Sequence, residues 1–186
     1  LWEKLSEGGH ALMPLNTYPF SKRYGWIQDK YGVSWQLILP QREVSRKIVP
    51  CLLFTQEQFG NAEKAMDFYV SVFRNSSRGF ISRYGSQGSN PEAINYGALQ
   101  LEGQDFVVME SDLSHDFHFS EGVSLMVHCK DQDEVDNYWE QLTSHGGEEG
   151  QCGWLKDQFG VSWQEVPDAW IRLISQKDRA KADRYM

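Results

Sequence analysis

The sequence predicts an α+β fold built from paired β-α-β-β-β units, and two observations lead there. The first is a stretch that the chain spells twice: Tyr24-Gly25-Trp26-Ile27-Gln28-Asp29-Lys30-Tyr31-Gly32-Val33-Ser34-Trp35-Gln36 returns as Cys152-Gly153-Trp154-Leu155-Lys156-Asp157-Gln158-Phe159-Gly160-Val161-Ser162-Trp163-Gln164. An internal repeat of this length points to duplicated structure. It extends upstream, where Trp2-Glu3-Lys4-Leu5 and Gly8-Gly9 echo Trp139-Glu140-Gln141-Leu142 and Gly146-Gly147, with additional residues in the first copy between His10 and Arg23. The second observation is the order of hydrophobic periods: strand-like, helix-like, then strand-like again, run through twice after residue 48.

Taken in order, Leu1 to Leu5 reads as the end of a helix stopped by Gly8-Gly9, because paired glycines supply left-handed C-cap geometry. His10 to Arg23 holds two prolines and an Asn-Thr pair and is predicted to be a long loop. The first copy of the repeat is predicted to be a hairpin, with strands at Tyr24 to Gln28 and Val33 to Leu39 around a turn at Asp29 to Gly32. Pro40 to Lys47 is polar and reads as a linker. Ile48 to Phe54 follows as an apolar strand. Over Asn61 to Phe73 the residues Ala62, Ala65, Met66, Tyr69, Val72 and Phe73 recur at helical spacing, with Asn61 as the expected cap. Phe80 to Tyr84, Ile94 to Leu101 and Asp105 to Glu110 read as strands. In the second half Val123, Leu125, Val127 and Cys129 alternate with polar neighbours as a half-buried strand. Asp131 to Ser144 is a helix with Val135, Tyr138, Trp139 and Leu142 on one face, a short strand falls near Glu149 to Gln151, and the second copy closes the unit as a hairpin. Ala169 to Met186 is predicted to be a helical tail. The expected organisation is therefore a C-terminal remnant of a first module at 1–39, a linker at 40–47, a complete module at 48–168 and a tail at 169–186.

With 186 residues the chain can bury a core of ordinary size, and its net charge of −8 opposes nonspecific binding to nucleic acid or to anionic membranes. No apolar run approaches the roughly 20 residues of a membrane span, and Leu1 does not open a signal peptide, so a cytosolic (cytoplasmic) setting is expected. Cys51, Cys129 and Cys152 are odd in number and lack Cys-x-x-Cys spacing, which suggests buried free thiols and neither a disulfide framework nor a zinc knuckle.

The segment from Trp139-Glu140 through Gly146-Gly147 to Gly153-Trp154-Leu155-Lys156-Asp157 and Phe159-Gly160-Val161-Ser162-Trp163-Gln164 resembles the PhnB-like branch of the vicinal oxygen chelate (glyoxalase/bleomycin resistance/dioxygenase) superfamily, whose members are often labelled 3-demethylubiquinone-9 3-methyltransferase domains. Ala62-Glu63-x-Ala65-x-x-Phe68-Tyr69 and Ser82-Arg83-Tyr84-Gly85 resemble it too, and the likeness covers Ile48 to Pro167. The resemblance implies paired units curled into an incomplete barrel, or cup, whose concave face holds a small molecule. In many relatives that face also binds a divalent metal through His and Glu side chains. Here Gln164 stands where a last-strand Glu is expected, with Gln36 in the other copy, and Ile48 to Phe54 offers no His. A neutral amide is a poor ligand for such cations, so no firmly held metal or other cofactor is expected.

Within that cup Trp154 and Trp163 are candidate aromatic walls and Gln164 a candidate substrate-orienting amide, with core packing or a satisfied buried amide as the competing roles. Trp163 and Gln164 are adjacent on a strand, so they point to opposite faces. Glu110 and His118 are weak catalytic candidates: Glu110 as a base if burial raised its pKa, with an exposed strand-end acid as the plainer expectation, and His118 because imidazole titrates near neutrality. His115, in the same polar loop, and His128, on the polar phase of its strand, are expected on the surface. The predicted function is binding of a small organic molecule without a firmly held metal. The alternative is an enzyme: a metal-assisted lyase, isomerase or dioxygenase, or the methyl transfer of the family label, although no glycine-rich strand-to-helix loop supports an adenosyl site. A homodimer, or pairing of modules within one chain, is expected because residues 1–39 leave strand edges to be covered.

Overall fold

A Cβ on Gly9 would lie 2.4 Å from the Gln28 carbonyl oxygen, so only glycine lets the chain turn from α1 (Trp2–Ser6) into its first strand at this close approach. Residues 1–40, 43–44 and 46–175 are described by the computed structural model, in two units, Leu1–Ile48 and Val49–Met186. In the first unit α1 is followed by an antiparallel sheet, β1 (His10–Tyr18), β2 (Ser21–Gln28) and β3 (Ser34–Ile38), in that spatial order. The long loop expected at His10 to Arg23 is thus largely strand. Pro14 and the Asn-Thr pair are accommodated because β1 lies at the sheet edge and its pairing with β2 slips between Ala11 and Met13, between Met13 and Asn16 and between Asn16 and Tyr18, while Pro19 falls in the turn before β2.

In the second unit β4 (Cys51–Phe54), α2 (Ala62–Val72), β5 (Ser77–Arg83), β6 (Ile94–Leu101) and β7 (Gln104–Glu110) form one half. The other half is β8 (Ser124–Cys129), α3 (Gln132–Thr143), β9 (Glu148–Glu149), β10 (Trp154–Lys156) and β11 (Ser162–Pro167), followed by α4 (Asp168–Ile174). Each half makes a four-stranded sheet, β4-β7-β6-β5 and β8-β11-β10-β9. In both, the first strand lies parallel to the last and the other contacts are antiparallel, so the order is first-fourth-third-second each time. This is the α+β arrangement of two β-α-β-β-β units, with no closed barrel among the described residues. The tail expected as a helix to Met186 is helical to Ile174, and residues 176–186 lie outside the described residues.

The stripe on α2 is buried as its spacing requires: Ala62, Ala65, Met66, Tyr69 and Val72 are all buried, and Phe73 follows at the helix end. Asn61 makes no side-chain cap to α2. Instead the Glu110 carboxylate, brought across by β7, accepts the Gly60 and Ala62 N–H groups at 2.7 and 3.1 Å, doing the work of a cap from fifty residues away. On α3 the cap is local, Asp131 accepting the Glu134 N–H at 3.0 Å.

One core joins the two halves, and Trp163 sits in its middle. Its ring stacks on Phe73 at 5.3 Å and meets the edge of Tyr69 at 5.5 Å, while Phe73 packs on Tyr138 of α3 at 5.2 Å. The polar link is Asp157, buried in the turn between β10 and β11. Its Oδ1 accepts the Phe159 and Val161 N–H groups at 2.9 and 3.1 Å, and its Oδ2 accepts the Trp163 indole N–H and the Tyr69 hydroxyl, both at 2.8 Å. Burial, and secondarily the charge on Asp157, hold the Tyr69 phenol well above its ordinary range, so it stays a donor. Tyr69→Phe removes that donor while keeping the ring. It is expected to lower unfolding free energy in urea by about 1–3 kcal/mol with the fold intact, and an unchanged midpoint would show that the link contributes nothing.

Candidate functional site

Strand alternation sorts the candidate residues of β11 onto two faces. Trp163 pairs with Leu155 of β10 and Leu125 of β8 on the face that meets the helices, and Glu165 shares that face one position further along. Gln164 faces the other way, directly opposite Trp154 on β10 and beside Met126 on β8. The Gln164 side-chain amide donates to Ser124 Oγ at 2.6 Å, which aims the group along the sheet. Trp154 and Gln164 are both partly buried, Met126 and His128 are exposed, and Lys156 on the same face pairs with Glu121 at 2.5 Å. The structure therefore brings Trp154 and Gln164 together and turns Trp163 away from them into the core, where its N–H is committed to Asp157.

Glu110 is not an exposed strand-end acid. It is buried, and besides the Gly60 and Ala62 N–H groups it accepts Ile94 N–H at 2.6 Å, so both oxygens are occupied by backbone donors that tie β7 to the start of α2 and to β6. His118 is exposed in the connection between β7 and β8, and His128 is exposed as expected. His115 departs from its expected surface placement: it is partly buried, its Nε2 lies 2.7 Å from Ser111 Oγ, and burial lowers its pKa, with Asp116 opposing.

Glu165 is the residue that sequence reading missed. It is 4% exposed, and neither carboxylate oxygen has a hydrogen-bond partner among the described residues. Loss of solvent, with Asp136 on α3 adding like charge, pushes its pKa up to about 8. The buried Cys129 thiol, on the same face of β8, is pushed to about 12 by burial first and then by Glu165 and nearby acids. The signal was present in the sequence: if Trp163 points inward, so does Glu165.

This placement decides what the open face can hold. Its polar groups are the Gln164 amide, the Ser124 hydroxyl, the His128 imidazole and the Lys156 ammonium, with the Glu121 and Glu148 carboxylates at the Lys156 end, while the carboxylate on β11 points into the core. With its acids gathered around Lys156, the Gln164 end of the face offers neutral groups alone, which do not suit a hard divalent cation. Among the described residues no three His, Cys, Asp or Glu side chains are grouped to hold a metal ion. Nor is any helix among them long and apolar enough to cross a membrane.

The profile of the family described as 3-demethylubiquinone-9 3-methyltransferase matches residues 1–38 and 46–166. The chain belongs to this family. The PhnB protein from Bacillus cereus is 32% identical to this family member, with a TM-score of 0.56 over 66% of this chain and 99% of its own. A Pseudomonas aeruginosa protein, 18% identical, superposes with a TM-score of 0.53 over 66% of this chain and 98% of its own, a likeness of fold. The fosfomycin resistance protein FosX from Listeria monocytogenes, 14% identical, covers 72% of this chain and 100% of its own with a TM-score of 0.49. No curated protein matches. The PhnB-like family expected from the sequence is thereby established, and the fold is the glyoxalase-type arrangement of paired β-α-β-β-β units.

Glu165 makes the family member's stability depend on pH in a defined direction. Its folded-state pKa lies near 8 against an ordinary 4.5. Between those values the folded chain holds a proton that the unfolded chain has released, so this contribution falls as pH rises, by about 1.4 kcal/mol per pH unit, and levels off above the folded pKa. Glu165→Gln keeps the shape and removes the titration. Denaturation midpoints measured from pH 5 to 9 are expected to converge for the two proteins at the acid end and to favour Glu165→Gln at the alkaline end; parallel curves would contradict a buried neutral Glu165.

Proposed function

We propose that the second unit binds a small organic molecule on the open face of its β8-β11-β10-β9 sheet, with Trp154 as an apolar wall and Gln164 as the group that orients it, and without a firmly held metal. The observation that carries this reading is the direct cross-strand pairing of Trp154 with Gln164 on the face away from the core, with Ser124 fixing the amide. An indole beside a pre-aimed amide suits a ligand with an apolar body and one polar substituent. Trp163, offered by the sequence as a second wall, has no part in it. The setting is a cytosolic one, consistent with three free cysteines and the acidic balance. Association as a homodimer belongs to the same reading: Tyr96 and Phe80 on the first sheet and Met126 on the second are exposed apolar side chains that a second copy would cover.

Native mass spectrometry of the purified protein reports copies per assembly, retained ligand and metal together. The expected spectrum is a metal-free dimer carrying a small organic mass; a stoichiometric metal would overturn the metal-free reading. A small-molecule panel screened by thermal shift then tests the site. Trp154→Ala and Gln164→Ala are each expected to weaken the binding of a stabilising compound about tenfold or more, in line with the loss of one good contact. Equal binding by wild type and both variants would place the ligand elsewhere.

A further inference from the structure

Away from the open face of the second sheet, a serine and a histidine are placed as a nucleophile and its base would be. Ser111 follows the last residue of β7 and His115 lies in the connection beyond it, with Ser111 Oγ and His115 Nε2 2.7 Å apart. In the tautomer that carries the ring proton on Nδ1, the hydroxyl donates to Nε2, and a base needs that arrangement. The Leu113 N–H points at the same oxygen from 3.4 Å, where it favours negative charge developing on Oγ. Burial holds the imidazole below its ordinary pKa, with Asp116 opposing, so the ring is neutral and able to accept.

Both groups are fixed from the end of β4. The Ser111 N–H is committed to the Phe54 carbonyl at 3.0 Å, one step past the β4-β7 pairing. Buried Thr55 donates to the Phe117 carbonyl at 3.1 Å, and the Gln56 side-chain amide donates to the His115 carbonyl at 2.6 Å. Gln56 does this from a left-handed backbone, φ 52°, which a residue with a side chain holds only where its surroundings require it. The imidazole lies against the Phe117 ring with centroids 4.7 Å apart. Ser111 is 8% exposed, and Leu113, 67% exposed, offers an apolar surface next to it.

We infer that Ser111 is a nucleophile activated by His115, and that it takes an acyl group with a short apolar chain from an ester. Ser111 Oγ bonds to the ester carbonyl carbon as its proton passes to His115 Nε2. The bond from that carbon to the alcohol oxygen breaks, and Nε2 gives the proton to the departing alcohol. Water then attacks the Ser111 ester with Nε2 as base, the acid leaves, and the proton returns to Oγ. This site shares no residue with the Trp154 and Gln164 face and stands whatever that face binds.

A fluorophosphonate probe tests the nucleophile on the full chain: an oxygen–phosphorus bond forms, fluoride leaves, and the proton goes through His115 to solvent. Peptide mass spectrometry is expected to find the label on Ser111 ahead of Ser114 and Ser120, exposed serines of the same connection. Ser111→Ala should abolish it, and His115→Ala should slow it about a hundredfold or more. Added imidazole should restore part of the lost rate in His115→Ala, which it would not do if His115 only braced the loop. p-Nitrophenyl butyrate should release p-nitrophenolate and leave a butyryl group on Ser111 in acid-quenched samples. Equal labelling of the three serines overturns the proposal. So does labelling of Ser111 that His115→Ala leaves unchanged, or a labelled Ser111 that the ester never acylates. Should His115→Ala fail to fold, the comparison among serines in the wild-type chain still decides, and His115→Gln, which keeps a polar partner for Ser111 without a base, replaces it.

Discussion

Asp157 is where the closing hairpin of the second unit is fastened to a helix that lies 88 residues earlier. A buried carboxylate is tolerated only when its lone pairs are filled, and here four donors fill them: two main-chain N–H groups that shape the turn, an indole from the following strand and a phenol from α2. Burial still pushes the Asp157 carboxyl up from its ordinary range, with Trp163 and Tyr69 as the chief opposing partners. The turn, the position of Trp163 and hence the phase of β11 follow from that one group. With the phase set, Gln164 is on the open face.

Glu110 plays a comparable part in the first half of the unit. It gathers three N–H groups from the start of α2 and from β6, so strand, helix and neighbouring strand are located by one side chain. Two carboxylates thus organise the interior by accepting, and neither is left with the open coordination that chemistry on a substrate requires. Glu165 differs from both: it is equally enclosed but has no donor among the described residues. Its cost is met by protonation instead of by hydrogen bonds.

Features set by local spacing were legible in the sequence, and features set across long separations were not. The apolar stripe of α2 and the Asp-Gly turns were readable because a few consecutive residues determine them. Pro14 and Asn16-Thr17 suggested a loop, since they disfavour an interior strand; a bulged edge strand tolerates them, and nothing local says which of the two will form. The cap on α2 was assigned to Asn61, the neighbour in sequence, when the group that serves comes from β7. At the site, alternation from Trp163 correctly opposed it to Gln164. Ser124 could not be named as the partner of Gln164, because that contact depends on the parallel register of β8 with β11.

The charge of the open face is a matter of phase as much as of composition. Strand β11 carries a carboxylate, Glu165, immediately after the amide Gln164, and a pleated strand shows only every second residue to one side. A single-residue bulge before position 164 would exchange the two, presenting an acid to the face and an amide to the core. Which of the two groups the face shows thus rests on the turn at Asp157, and one inserted residue separates a sheet that presents an amide at this position from one that presents a carboxylate.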